Sequence, residues 1–306
     1  LKADTLIFDG KHLLWRCADA FNTLSYEVEG EEIGTGAIYG WLSCAMRVRM
    51  RYGGRAIVAW EGSNNFRYKL YPEYKAKDEP DEEKRLFLED MKKQEKRLKA
   101  VLRAIGMPQF LANGGEADDV IGTLAARHEM AHRRVVIYSG DSDLRQLVTS
   151  KISVVSPGFK GKETMYGDSA AVKEKHGVDP MLIPDLKALA GDNSDNIPGM
   201  PGIGDKRAVQ AIQECGDIDE IITAAKSGKP IGIPERFRAV LIDNEESLRL
   251  YKRLTTINLG VGMDAIKPKR SRKRVAQYFM AYGFRSLMEA PEMEAVMALG
   301  DEDDED

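Results

Sequence analysis

The chain has 306 residues, of which 43% are hydrophobic and 31% charged, with a net charge of −4; this balance describes a globular protein with enough surface to bury for two domains, or for one large domain with an appendage. No apolar run reaches the roughly 20 residues needed to span a bilayer, and the opening LKADTLIFDG lacks the layout of a signal peptide. Cys17, Cys44 and Cys215 are widely spaced and form no CxxC pair, which argues against a disulfide framework or a zinc site and for a reducing, cytoplasmic setting.

In chain order, TLIFDG (5–10) reads as a short buried strand that ends on an acid. A helical pattern over 37–50 leads to a second strand, RAIVAWEG (55–62), ending on Glu61. A polar excursion over about 62–105 follows, far longer than the 2–6 residues of an ordinary strand–helix connection, and such insertions commonly serve as lids or binding loops. ADDVIGTLAARHEM (117–130) reads as a helix, RRVVIYSGDSD (133–143) as a strand ending on Asp141 and Asp143, and KISVVSP (151–157) as another strand. Alternating strands and helices imply an α/β fold with a mainly parallel central sheet flanked by helices, whose ligands bind at the carboxyl ends of the strands. Beyond Ser156 the chain becomes helical. Leu182, Ile183, Leu186 and Leu189 give one helix an apolar face, with Gly191 as its cap. After a Gly/Pro-rich turn a second helix begins near Asp205, and helical patterns continue over 234–259 and 272–299. The expected division is 1–180 for the sheet domain with its insertion at 62–105, 181–265 for a helical module, and 266–306 for a basic segment, a helix and an acidic tail.

Charge is unevenly placed at that end. KPKRSRKR (267–274) holds six basic residues in eight, and the run DEDDED (301–306) is wholly acidic; without those six charges the chain would carry +2. A slightly acidic whole therefore does not exclude a polyanionic partner.

The acids carry the strongest chemical signal. Asp9, Glu61, Glu116, Asp118, Asp119, Asp141 and Asp143 all fall at strand ends or at a helix start facing them, and GDNSDN adds Asp192 and Asp195. Taking 116–119 as helical puts Glu116 and Asp119 on one face and Asp118 on another, as an outer partner. So many like charges repel unless cations lie among them. Carboxylates without histidine or cysteine partners suit Mg2+ or Mn2+, and nine of them suit two ions about 3.5–4 Å apart, an arrangement of phosphodiester hydrolases.

Two further stretches point to a nucleic acid. In GMPGIGDKRA (199–208), Gly199, Gly202 and Gly204 let backbone amides approach a phosphate at a helix N-terminus, with Lys206 and Arg207 adding charge. A tight interhelical turn alone would explain the same glycines. FRYKLYPEYKAK (66–77) interleaves Phe66, Tyr68, Tyr71 and Tyr74 with Arg67, Lys69, Lys75 and Lys77, a mixture that suits single-stranded nucleic acid; a solvated helix pair packed on the body is the plainer reading.

Together, IFDG, GTGAIYG, FRYKLYPEYKAK, GGEADDVIGTLA, SGDSDLRQLVT and LAGDNSDNIPGMPGIGDKRA, in this order, resemble the 5′ nuclease domain of bacterial DNA polymerase I and its stand-alone bacteriophage relatives, the flap endonuclease family. The resemblance covers roughly residues 4–260. It implies a PIN-like nuclease core, a helical arch at about 62–105 and a helix–hairpin–helix module at about 181–215 that grips duplex DNA and often binds K+. It implies hydrolysis of DNA at 5′ flaps, gaps and free 5′ ends, both endonucleolytic and 5′-3′ exonucleolytic, with Mg2+ (Mn2+ able to substitute) in a two-metal site. By motif match, Asp9, Glu61, Glu116, Asp118, Asp119, Asp141, Asp143, Asp192 and Asp195 take metal positions. Arg67 and Lys75 take catalytic positions at the arch base. Tyr74, Lys77, Gly199, Gly202, Ile203, Gly204, Lys206 and Arg207 take DNA-binding ones, Tyr74 by stacking on a terminal base. A free-standing monomer in a bacterial or phage-infected cell is the expected form, since no polymerase region follows. Glu61 stands where the family usually has aspartate, and KAKDEPDEE carries acids where relatives often have arginine. Two other readings are a non-catalytic, structure-specific DNA-binding protein and a nuclease acting mainly on RNA/DNA hybrids.

Overall fold

Short runs that end in acid become parallel strands because their side chains alternate between two buried faces. In a computed structural model, residues 2–21, 24–28, 31–77, 79–158 and 162–300 are described; Asp78 and the run 301–306 lie outside them. The strands are β1 (Thr5–Asp9), β2 (Ser25–Val28), β3 (Glu31–Gly34), β4 (Arg55–Ser63), β5 (Gln109–Asn113), β6 (Val135–Tyr138), β7 (Ile152–Pro157), β8 (Glu163–Tyr166) and β9 (Gly262–Ile266). Seven form one sheet in the order β8-β7-β6-β1-β4-β5-β9, while β2 and β3 make a separate hairpin. The five inner strands pair in parallel, and the edges β8 and β9 are antiparallel. The expected mainly parallel sheet flanked by helices is what the structure shows; the strands β2, β3, β5, β8 and β9 were not legible in advance.

The helices are α1 (Gly10–Ala20), α2 (Gly36–Tyr52), α3 (Phe66–Leu70), α4 (Glu82–Ile105), α5 (Ala117–Met130), α6 (Ser169–His176), α7 (Ile183–Ala190), α8 (Asp205–Cys215), α9 (Ile218–Lys226), α10 (Phe237–Asp243), α11 (Glu245–Thr255), α12 (Arg272–Ala281) and α13 (Ala290–Met297). One face of the sheet (Ile7, Ile57, Ile137, Val154) packs on α5 and runs without a break into the core of α7–α11. The other face (Leu6, Phe8, Val58, Trp60, Val136) packs on α1, α2, α4, α12 and α13. Near residue 180 the architecture therefore changes while the core continues.

Two expectations are corrected. Most of 82–105 is no free arch. Met91, Leu98, Val101, Leu102 and Ile105 of α4 are buried, because a parallel β4–β5 pair needs a helical crossover packed on the sheet. Among the described residues of the insertion, the mostly exposed stretch runs from α3 through the turn after it to the first turns of α4. Nor does the boundary at 265/266 hold: β9 leaves the helical module to join the sheet beside β5, and Val275 and Phe279 of α12, within 266–306, enter the core of the sheet domain.

Candidate metal centre

At the carboxyl pole, β1 and β6 are neighbours that lead away in opposite directions across the sheet, the kind of switch point where α/β proteins bind ligands. Asp9 caps α1, accepting the His12 amide at 3.0 Å and the Ser139 hydroxyl at 2.8 Å. Ser139 Oγ in turn accepts the Asp141 amide at 3.1 Å, and Asp141 Oδ1 accepts the Asp143 amide at 2.9 Å. One hydroxyl thus ties the ends of both strands together.

The GGEADD triplet is arranged in the opposite sense to the expectation. Asp118 is the member that feels Asp141, Asp9 and Glu116; lost hydration, then those three charges, push its carboxyl well above the usual range. Burial also raises Asp9, with Asp141 adding to the shift and His12 and Ser139 opposing it. Asp119 is 0% exposed. Its Oδ1 accepts Arg67 Nη2 at 2.9 Å and the Asn258 amide at 2.8 Å; its Oδ2 accepts Arg67 Nη1 at 2.7 Å and the Glu116 amide at 2.8 Å. Four donors fill the acceptor sites of this carboxylate, leaving none for a metal.

Arg67 is corrected with it. At 2% exposure, it donates also from Nε to Leu254 O at 2.7 Å and from Nη2 to Thr256 O at 3.0 Å, so it is a buried brace and cannot reach a phosphate. Tyr74 is also 2% exposed and cannot stack on a base. Its hydroxyl lies 2.9 Å from Glu116 Oε2 and 2.8 Å from Asp195 Oδ2, and burial, then both carboxylates, raise its pKa. Tyr68, packed edge-on against Tyr74, is the exposed ring. Lys75, at φ +53°, donates from Nζ to Glu116 Oε1 at 2.7 Å and lies 3.7 Å from Asp195 Oδ1. Lys77 is exposed.

Asp143, Asp192 and Asp195 form a second group, each offering an oxygen within 4.8 Å of the others. Lys187 from α7 pairs with Asp143 and, at 2.6 Å, with Asp192. Burial works against ionisation of Asp192, but Lys187 and Ser194 outweigh it and hold its carboxyl below the usual range. Sequence reasoning missed Lys187; a lone lysine within the apolar IPDLKALA, five residues before Asp192, was the available signal. Glu61, partly exposed, pairs with Lys11. Beyond Lys11 on α1, Trp15 meets Phe87 edge to face at 5.7 Å, an aromatic pair also missed. A cleft of about 700 Å3 lies between α1, α2 and the β7–β8 connection, but none of the nine acids lines it.

The turn between α7 and α8 exposes some of its residues and buries others. Gly204 and Lys206 are exposed at the start of α8. Ile203 is a core residue whose side chain cannot touch DNA, and Arg207 donates to Gly202 O at 2.6 Å while lying over Phe237. Gly199 has φ +67°, and a Cβ there would lie 2.3 Å from the Gly191 nitrogen. Gly199→Ala is expected to cost about 1–3 kcal/mol in urea unfolding through strain and overlap; a change within experimental error would show that the turn yields freely.

The 5'-3' exonuclease N-terminal resolvase-like domain matches residues 4–177, and the 5'-3' exonuclease C-terminal SAM fold matches 178–275. DNA polymerase I of Pseudomonas aeruginosa is 37% identical over 274 residues, covering 86% of this chain and 28% of its own length. That of Bacillus caldotenax is 32% identical over 303 residues, 95% of this chain and 33% of its own length. The chain thus spans about a third of these curated relatives. Among solved structures, the T5 D15 protein co-crystallised with metal ions superposes with a TM-score of 0.69 at 22% identity, covering 97% of this chain and 99% of that one. Human GEN1 in complex with Holliday junction DNA gives 0.65 at 13%, covering 97% and 72%. At such identities the likeness is one of fold.

Proposed function

The chain belongs to the 5′-3′ exonuclease family, and on that premise we propose that it is a metal-dependent phosphodiesterase that cuts DNA at 5′ flaps, gaps and free 5′ ends. The observation that carries this reading is the adjacency of two carboxylate groups at one pole, Asp9, Asp118 and Asp141 beside Asp143, Asp192 and Asp195, linked through the Asp141–Asp143 hydrogen bond and through Tyr74 between Glu116 and Asp195. The donor set fits hard divalent ions: every candidate ligand is an oxygen, and the carboxyls of Asp9 and Asp118 are raised first by lost hydration and then by neighbouring carboxylates, a charge that cations would relieve. Mg2+, with Mn2+ as substitute, is the proposed pair, held by these six carboxylates with Glu116 between them. When bound, such ions supply Lewis acidity at the scissile phosphodiester.

The chain's own groups do the rest. Lys75, at the mouth of the site, offsets charge that builds on the phosphate. Lys187 holds Asp192 ionised and keeps Asp143 and Asp192 in place. Gly204 and Lys206, at the exposed start of α8, receive backbone phosphates without reading sequence, and a K+ ion at that turn belongs to the same reading. Tyr68 and the Trp15–Phe87 pair flank the site as surfaces for unpaired bases. Among the described residues no helix is long and apolar enough to cross a membrane; action as a monomer in the cytoplasm is proposed.

A 5′-labelled flap duplex tests the reading. Short labelled products are expected with Mg2+ and none with EDTA. Tight flap binding without cleavage in either Mg2+ or Mn2+ would leave a DNA-binding relative instead.

A further inference from the structure

The basic stretch 267–274 is not used by the site. Ile266 of β9 lies opposite Gln109, and Gln109 opens β5, so the chain after Ile266 emerges at the pole of the sheet opposite the acids. There it follows the end of α4 and enters α12. The Lys269 amide donates to Arg103 O at 2.9 Å and the Ser271 amide to Ala104 O at 2.8 Å, while Arg103 Nε donates to Lys267 O at 3.1 Å. Between the two helices lies a hollow of about 170 Å3. Ala100 and Ala104 leave room in it, and Lys99, Arg103, Lys269 and Arg274 bring four cations to it. Lys99 is paired with Glu95 at 2.5 Å. Arg103, Lys269 and Arg274 are exposed, as are Lys267 and Lys273 next to them in the chain, and no carboxylate pairs with these five among the described residues.

Two features of this arrangement oppose folding unless an anion joins it. The cations at the hollow repel one another. The first turn of α12 carries Arg272, Lys273 and Arg274 and no acid, at the helix end where the dipole disfavours positive charge; only Arg272 has a carboxylate partner, Glu294. The hollow is smaller than the roughly 300–1,000 Å3 of small-molecule sites, so it admits a phosphate group but no whole nucleotide. Lys267 and Lys273 carry positive charge past it, which suits a backbone bearing one charge about every 3.4 Å of axis on each strand. Tyr278, the aromatic at the hollow, is half-buried and stacked on Tyr282 at 6.0 Å and 15°. With no exposed ring lining the hollow to receive a splayed base, a duplex fits better than a single strand. We propose that the hollow between the end of α4 and the start of α12 is a phosphate-binding site for duplex nucleic acid, so that the chain holds a second duplex segment at the pole opposite the acids. Such binding needs neither metal nor cleavage, and it stands apart from the proposed function.

Fluorescence anisotropy of a labelled blunt duplex, with the full chain in EDTA, tests the site. Combined Arg103→Glu, Lys269→Glu and Arg274→Glu is expected to lower affinity about tenfold or more at 50 mM salt and to reduce the log–log salt slope by about two to three, as two to three phosphate contacts are lost. Combined Arg103→Gln, Lys269→Gln and Arg274→Gln is the milder variant should charge reversal impair folding, and is expected to change the slope alike with a smaller fall in affinity. Lys2→Glu, Arg127→Glu and Lys229→Glu make an equal charge change at exposed positions elsewhere, and are expected to leave the slope nearly at the parent's value. An equal fall in that control means that net charge alone acts, and the hollow is then no site. Unchanged duplex binding in both hollow variants overturns the proposal. Calorimetry with inorganic pyrophosphate separates a small anion from a duplex: micromolar binding that the hollow variants lose, with duplex binding unchanged, gives the hollow to a small anion and overturns the nucleic-acid reading.

Discussion

Asp118→Asn is expected to fold, to become more stable in EDTA, and to lose flap cleavage by more than about 100-fold, since even an outer partner of a metal ligand is worth 10–100-fold. The stability gain follows from the direction of its pKa. The folded-state pKa of Asp118 is raised by lost hydration and by Asp141, Asp9 and Glu116. Between the unfolded and folded values the native state therefore binds more protons than the unfolded chain. Stability falls as pH rises through that window, and the asparagine variant escapes the loss. Urea unfolding in EDTA should show a gap over the parent that opens above about pH 4, the unfolded carboxyl value, and widens until the folded pKa is passed. A variant less stable than the parent at pH 8 would mean that Asp118 is a structural partner. Unchanged cleavage would remove it from the site.

Arg67→Met should do the reverse, acting first on stability. It leaves Asp119 buried and ionised without its bidentate partner, a loss of about 3–5 kcal/mol. Pairing it with Asp119→Asn should recover part of that, because the stranded charge goes too; a double-mutant cycle in urea reads the coupling. An arginine that merely touched DNA would behave otherwise, with unfolding changed by less than about 0.5 kcal/mol and binding weakened instead. The cycle therefore separates the buried brace from the phosphate-contacting role implied by family resemblance.

The error over Asp118 and Asp119 has a local cause. Glu116 is the N-cap of α5, with φ −106° and ψ 172°. Counting a helical face from it therefore starts one residue too early. Asp119, three positions on, folds back to the Glu116 amide. The pattern Glu-x-x-Asp ahead of an apolar run was a legible sign of that reciprocal cap. The burial of Arg67 had no comparable sign. Its partners Asp119, Leu254 and Thr256 lie 52, 187 and 189 residues away, and nothing near FRYKL marks it as different from Lys69 or Lys75. The edge strand β9 was hidden for another reason: GMDAI is short and mostly exposed, so it lacks the apolar alternation that marks a strand.

By itself the sequence determined that acids would gather at the carboxyl ends of a parallel sheet, because strand ends, helix starts and residue type are local properties. It also determined the glycine turn before α8, because positive φ and close backbone approach admit little else. Only the tertiary structure decided which acids face one another and which one is spent on an arginine. It turned Tyr74 inward to bridge Glu116 and Asp195, brought Lys187 between Asp143 and Asp192, and set the basic stretch beside Gly300 at the far pole. Each of these is a contact between segments far apart in the chain, selected by how whole elements pack against each other, and no window of neighbouring residues contains that information.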